Sequence, residues 1–200
     1  MYTLYSLPGT CSSGISVLMT KLGLSFDIIN PSDMDNYKSV SPTGQVPALV
    51  DGDLVLTEGS AIALYLLRKH DSSIVEDPTF LRWMMFNYAT LHPAYSKLFS
   101  VSGVMDDSAE KDVLMQKLAD KLTETWAIVN DRLATQDVMV GDQATIIDYM
   151  LTVYTGWNAF FPTMKIDVGD NVRALVKRVS ALPEFQAGFA AEKQEFVSAA

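Results

Sequence analysis

The sequence holds one cysteine, two histidines and only 15 basic residues against 24 acidic ones. A single thiol makes no internal disulfide, so nothing points to an oxidising compartment. The formal charge of −9 argues against a nucleic-acid partner, which needs basic patches to displace counterions from phosphates. It leaves room for a small anionic ligand at a locally positive site. His70 and His92 stand apart with no ligand spacing, which argues against a metal centre. No basic residue precedes Lys21, so the first residues lack the layout of a signal peptide. The longest apolar run, AIALYLL at 61–67, is far short of a membrane span. These shortages predict a cytoplasmic protein with neither a membrane nor a nucleic-acid partner.

Hydrophobic residues make up 48% of the 200 positions and charged residues 20%, enough apolar chain for a real core. YTLYSL at 2–7 reads as a first strand, and residues 12–23 carry helical spacing after the cap candidates Ser12 and Ser13. SFDIIN at 25–30 alternates as a second strand. QVPALV and DLVLTE flank Asp51-Gly52, a hairpin signal, and residues 58–69 return to helical spacing. The order is β-α-β, a short helix or loop, then β-β-α. Residues 70–78 read as a linker. Beyond it, helices are predicted over 79–101, 108–134, 145–160, 170–180 and 183–195, with a capping box from Thr145 to Asp148.

Cys11 sits at a strand-to-helix turn, where free N–H groups and the helix dipole favour a thiolate. Cysteine is also among the most buried and inert residue types, so plain packing stands beside that reading. Gly14 removes a Cys-x-x-Cys pair, and Val17 stands where a phosphatase loop needs arginine. Val46-Pro47 opens an apolar strand; a cis proline there leaves the preceding backbone free to bind an extended peptide. Glu58, Gly59 and Ser60 begin a helix whose N–H groups suit a carboxylate, while Glu58 suits an ammonium. An ammonium and a carboxylate side by side describe the amino-acid end of a ligand. His92 lies among Tyr88, Leu91 and Tyr95, an arrangement more typical of core than of catalysis. Trp157, Phe160 and Phe161 read as core too.

Together these stretches resemble the cytosolic glutathione S-transferases, most closely the bacterial beta class. PGTCS resembles that class's Pro-Gly-Ala-Cys-Ser, and PTGQVPAL its Pro-x-Gly-Gln-Val-Pro-Ala-Leu. LTEGSAIALYL resembles Leu-Thr-Glu-(Ser/Gly)-x-Ala-Ile-x-x-Tyr-Leu, and the Thr145–Asp148 box resembles the family's own. The resemblance implies an α/β thioredoxin-like N-terminal domain (βαβαββα) over residues 1–71. An all-α C-terminal helical domain would follow over 77–200, usually in a homodimer.

It further implies glutathione as co-substrate, no permanently bound cofactor, and a small apolar electrophile as second partner. Gln45, Val46 and Pro47 would hold the cysteinyl part, and Glu58, Gly59 and Ser60 the γ-glutamyl end. Cys11, Ser12 and His92 would surround the reacting sulfur, and Tyr95, Tyr154 and Trp157 would line the co-substrate pocket. A disulfide oxidoreductase using Cys11, or a non-catalytic binding module on the same fold, are the alternatives.

Some positions depart from the family pattern. Gly59 replaces the usual serine after the glutamate, and Pro93 follows His92 where lysine is frequent. The segment before GQVP is short and lacks the family's lysine, leaving Lys38 as the only nearby base. Ser6, not Tyr5, takes the place of the strand-end tyrosine, and Ala144 weakens the staple before the capping box.

Overall fold

The computed structural model describes residues 1–70 and 73–198. Residues 71 and 72, inside the expected linker, lie outside the described residues, as do 199 and 200. The first part runs β1 (Tyr2–Tyr5), α1 (Cys11–Lys21), β2 (Phe26–Ile29), β3 (Ala48–Asp51), β4 (Leu54–Thr57) and α2 (Gly59–His70). The sheet order is β2-β1-β3-β4, with β1 parallel to β2 and antiparallel to β3, and β3 antiparallel to β4. This is the thioredoxin-like arrangement expected from the motif order. The crossover between β2 and β3 holds two 3₁₀ turns, Pro31–Asp33 and Tyr37–Ser39, in place of an α-helix. Asn30 caps the first of them, accepting from the Ser32 N–H at 2.9 Å.

The second part is helical: α3 (Pro78–Phe86), α4 (His92–Val104), α5 (Ala109–Arg132), α6 (Ile146–Gly156), α7 (Asp170–Ser180) and α8 (Pro183–Ala191). The periodicity predicts one helix over 79–101, but a π turn at Asn87–Leu91 interrupts it. Pro93 explains the break, because it has no N–H to return to the carbonyl of Ala89. The helix expected to reach residue 195 stops at Ala191, and Lys193, at φ 58°, turns the chain sharply. No helix among the described residues is long and apolar enough to cross a membrane.

Helix α1 of the first part and helices α6 and α8 of the second join the two. α1 is buried between α6 and α8, and Gly188 of α8 touches the α1 backbone. A Cβ built on Gly188 would lie 2.7 Å from Val17 Cα and 2.9 Å from its N. Backbone cannot rotate away from such a clash. Gly188→Ala gains about 1 kcal/mol of helix propensity but loses more to overpacking, which costs about 1–3 kcal/mol and rises when backbone must shift. The expected net effect is a loss of about 2 kcal/mol, read as a lower urea midpoint. An unchanged midpoint would show that α1 and α8 are free to separate.

Candidate functional site

Cys11 opens α1 behind Thr10, whose side chain accepts the Ser12 N–H. Thr10 therefore caps the helix, two residues ahead of Ser12, the first cap candidate the sequence suggests. The turn before it is braced from two sides. The Trp157 Nε1–H donates to the Gly9 carbonyl at 2.8 Å. Beneath it, the Glu192 carboxylate accepts from the hydroxyls of Ser6 and Ser13. Burial pushes the Glu192 carboxyl above its usual range, and the two hydroxyls oppose that shift.

The Cys11 thiol donates to the Val46 carbonyl at 3.5 Å. Its pKa is pushed up to about 12, first by burial and further by the Glu58 charge, against the pull of the backbone N–H groups of Cys11 and Ser12. The helix start alone predicts the opposite direction. Desolvation of the charged form outweighs the dipole here. Cys11 is therefore a protonated thiol near neutral pH: a hydrogen-bond donor, poorly suited to being a resting nucleophile.

The Val46–Pro47 peptide is cis, as the resemblance implies. Hydroxyls of Tyr37 and Ser41 each donate to the Gln45 carbonyl at 2.9 Å, fixing the loop that leads into β3. Across the cavity, Glu58 carries φ 66°, a left-handed backbone uncommon for a non-glycine residue. Its carbonyl accepts from Ile62 N at 3.0 Å and so starts α2. Its side chain is exposed and makes no ion pair among the described residues. By helix geometry, the N–H groups of Gly59, Ser60 and Ala61 have no acceptor within α2.

These elements enclose two adjoining cavities. A polar one of about 240 Å³ is lined by Cys11, Gln45, Val46, Glu58, Gly59 and Ser60 among others. An apolar one of about 690 Å³ is walled by Leu7, Phe99, Val153, Trp157, Phe160 and Phe196 among others. Cys11, Gln45, Val46 and His92 line both. His92 packs edge-on against Trp157 and Tyr154, with ring centroids 5.4 and 5.7 Å away. Burial lowers its pKa, so it is a neutral imidazole at pH 7.

Residues 1–68 match the family described as the glutathione S-transferase N-terminal domain. The Escherichia coli O157:H7 glutathione S-transferase GstA is 28% identical over 207 residues, covering 94% of this chain and 98% of GstA. The first 68 residues of this chain are a glutathione S-transferase N-terminal domain. A Xylella fastidiosa glutathione S-transferase structure superposes with a TM-score of 0.85 at 26% identity, covering 96% of this chain and 99% of that one. A Sphingomonas chungbukensis transferase described as bacterial beta class shares the fold at TM-score 0.79 and 24% identity, covering 95% and 98% of the two chains.

Within this fold, most sequence-predicted residues converge on the two cavities, and three do not. Ser12 is fully buried and lines neither cavity, and its hydroxyl is taken by Ser6, Leu7 and Thr10. Tyr95 is fully buried, donating to Asn158 Oδ1 at 2.7 Å and accepting from Trp126 Nε1 at 3.0 Å. Tyr154 is likewise buried and lines neither cavity. Both tyrosines form the layer behind His92 and Trp157, because helical spacing marks an apolar face without saying which residues stop at its rim. Lys38 lies along Gly44 and does not line the polar cavity. Phe99, the 194–197 segment of the tail and Glu192 belong to the surroundings of the site and carry no motif. Tyr88 is a further addition, and lines the polar cavity beside Gly59.

Proposed function

We propose that this transferase binds glutathione in the polar cavity and passes its sulfur to a small apolar electrophile held in the larger one. The observation that carries this reading is the meeting of the two cavities at Cys11, Val46 and His92. Val46 backbone groups pair with the cysteinyl part, Gln45 and Pro47 shape its loop, Glu58 takes the ammonium, and the start of α2 at Gly59 and Ser60 takes the carboxylate. The glutathione sulfur then rests by the start of α1. There the Cys11 S–H and nearby N–H groups stabilise its thiolate, which lowers the thiol pKa. The proton leaves to solvent, and the sulfur lone pair forms a new bond to carbon while the leaving group departs with its own pair. Neutral His92 borders the same spot and orients the sulfur.

In this reading residues 1–71 carry glutathione and residues 77–200 supply the co-substrate pocket, in a cytoplasmic homodimer. The large apolar cavity, bordered by exposed Phe160, favours conjugation over a purely regulatory module. The protonated Cys11 thiol weighs against disulfide exchange as the main reaction.

Cys11→Ala separates the two chemistries. Conjugation of glutathione to an aryl halide is expected to fall by about tenfold or less, the scale of one lost hydrogen bond. Steady-state rates with a mixed-disulfide substrate check the other arm. Complete loss of conjugation in Cys11→Ala would overturn the donor role and make the thiol a nucleophile.

A further inference from the structure

Gly59 is buried, and a Cβ built on it would lie 2.6 Å from Cε1, 2.8 Å from Oη and 3.1 Å from Cζ of Tyr88. Real Cβ atoms do not approach other atoms so closely, so the Tyr88 ring fills the space of a side chain at position 59. The Tyr88 hydroxyl is itself buried and has no hydrogen-bond partner among the described residues. A buried hydroxyl without a partner is costly and in a native structure has a reason. Burial raises its pKa well above the usual phenol value, and the nearby Cys11 adds to that, so it stays a protonated donor. The π turn delivers it: Tyr88 and His92, at its start and just past its end, both line the polar cavity. Among the described residues no lysine or arginine lines that cavity. An anion there is met by neutral donors only.

We propose that Tyr88 is a ligand-binding residue: its hydroxyl donates to the α-carboxylate of the γ-glutamyl group at the N-terminus of α2, replacing the hydroxyl that a serine at position 59 would supply. This rests on the glutathione reading above. The glycine and the tyrosine form an exchanged pair. The hydroxyl now comes from the helical part of the chain, and the small residue at 59 is what admits it. Oη lies 2.8 Å from the built Cβ, so it occupies the neighbourhood that a side chain on residue 59 would otherwise use. The unpaired N–H groups of α2 supply the remaining donors.

Calorimetric titration tests this with two ligands: glutathione, and an analogue with a 4-aminobutyryl group in place of γ-glutamyl. The analogue keeps the amine and lacks the α-carboxylate. Tyr88→Phe is expected to bind glutathione about tenfold or more weakly, as for a lost hydrogen bond to a charged group. Its affinity for the analogue is expected to match that of the wild type. Gly59→Ser is expected to lose affinity through its clash with the ring. Gly59→Ser combined with Tyr88→Ala is expected to regain most of it. Equal losses for both ligands in Tyr88→Phe would make the residue structural and overturn the proposal. So would an unchanged affinity, or a tighter one that marks the ring as a plug. A wild-type chain that binds no glutathione would overturn the glutathione reading and this proposal together, whereas normal wild-type binding with any of those results overturns Tyr88 alone. Should Gly59→Ser fail to fold, the two-ligand comparison on Tyr88→Phe still decides.

Discussion

Glu58→Gln is expected to weaken glutathione binding by about 30-fold, the scale of a lost hydrogen bond between charged groups, about 2 kcal/mol. The folded stability stays nearly unchanged, because the side chain is exposed and no ion pair among the described residues depends on it. The substitution keeps shape and backbone preference, so the left-handed conformation at φ 66° is equally strained in both proteins. It removes only the charge that faces the ligand ammonium. In the proposed binding mode Glu58 meets the end of glutathione remote from the sulfur, so its contacts would be the same in ground and transition states. KM for glutathione is therefore expected to rise while kcat holds. The charge also raises the Cys11 pKa, so thiol titration of Glu58→Gln is expected to give a lower value than wild type. A KM unchanged in this variant would remove the γ-glutamyl end from α2.

Asp148→Ala is expected to cost about 3–4 kcal/mol, from two stranded donors and a lost cap. Asp148 is fully buried in the capping box of α6. Its Oδ1 accepts from Met139 N and its Oδ2 from Thr145 N, each at 2.8 Å. Removing the carboxylate leaves both N–H groups without a partner inside the fold. Burial nevertheless dominates its titration, and the pKa rises to about 6 against the lowering effect of those hydrogen bonds. A raised carboxyl pKa means the folded chain holds its proton where the unfolded chain has released it. Stability from this group is thus present at low pH and falls as pH climbs from about 4 to about 6. Asp148→Asn cannot titrate, so the wild-type lead over it should shrink across that window and level off above it. Urea midpoints at closely spaced pH values read this directly. A lead that grows with pH would contradict a raised pKa.

What the sequence made legible follows from distance along the chain. Cys11, Val46-Pro47 and Glu58-Gly59 sit in local patterns whose turn and helix-start chemistry is written in neighbouring residues. Their convergence on one cavity followed from the order of strands and helices. Tyr88 carried no such pattern. Its role depends on an empty Cβ position 29 residues earlier, visible only when α2 and the π turn are packed together. The same holds for Glu192, which reaches Ser6 and Ser13 from nearly the far end of the chain. Tyr95 and Tyr154 failed as pocket residues for the converse reason: an apolar helix face shows its period but not its depth. The thiol failed in direction. A helix start predicts a lowered pKa, and only the folded surroundings reveal that desolvation prevails.

The central claim is that the polar cavity between Cys11, the cis Val46–Pro47 peptide and the start of α2 is a glutathione site. Isothermal titration of the unmodified chain with reduced glutathione tests it most directly. Saturable heat with one ligand per chain, weakened in Glu58→Gln, is the expected result. No saturation at millimolar glutathione, or saturation that Glu58→Gln leaves untouched, would contradict it.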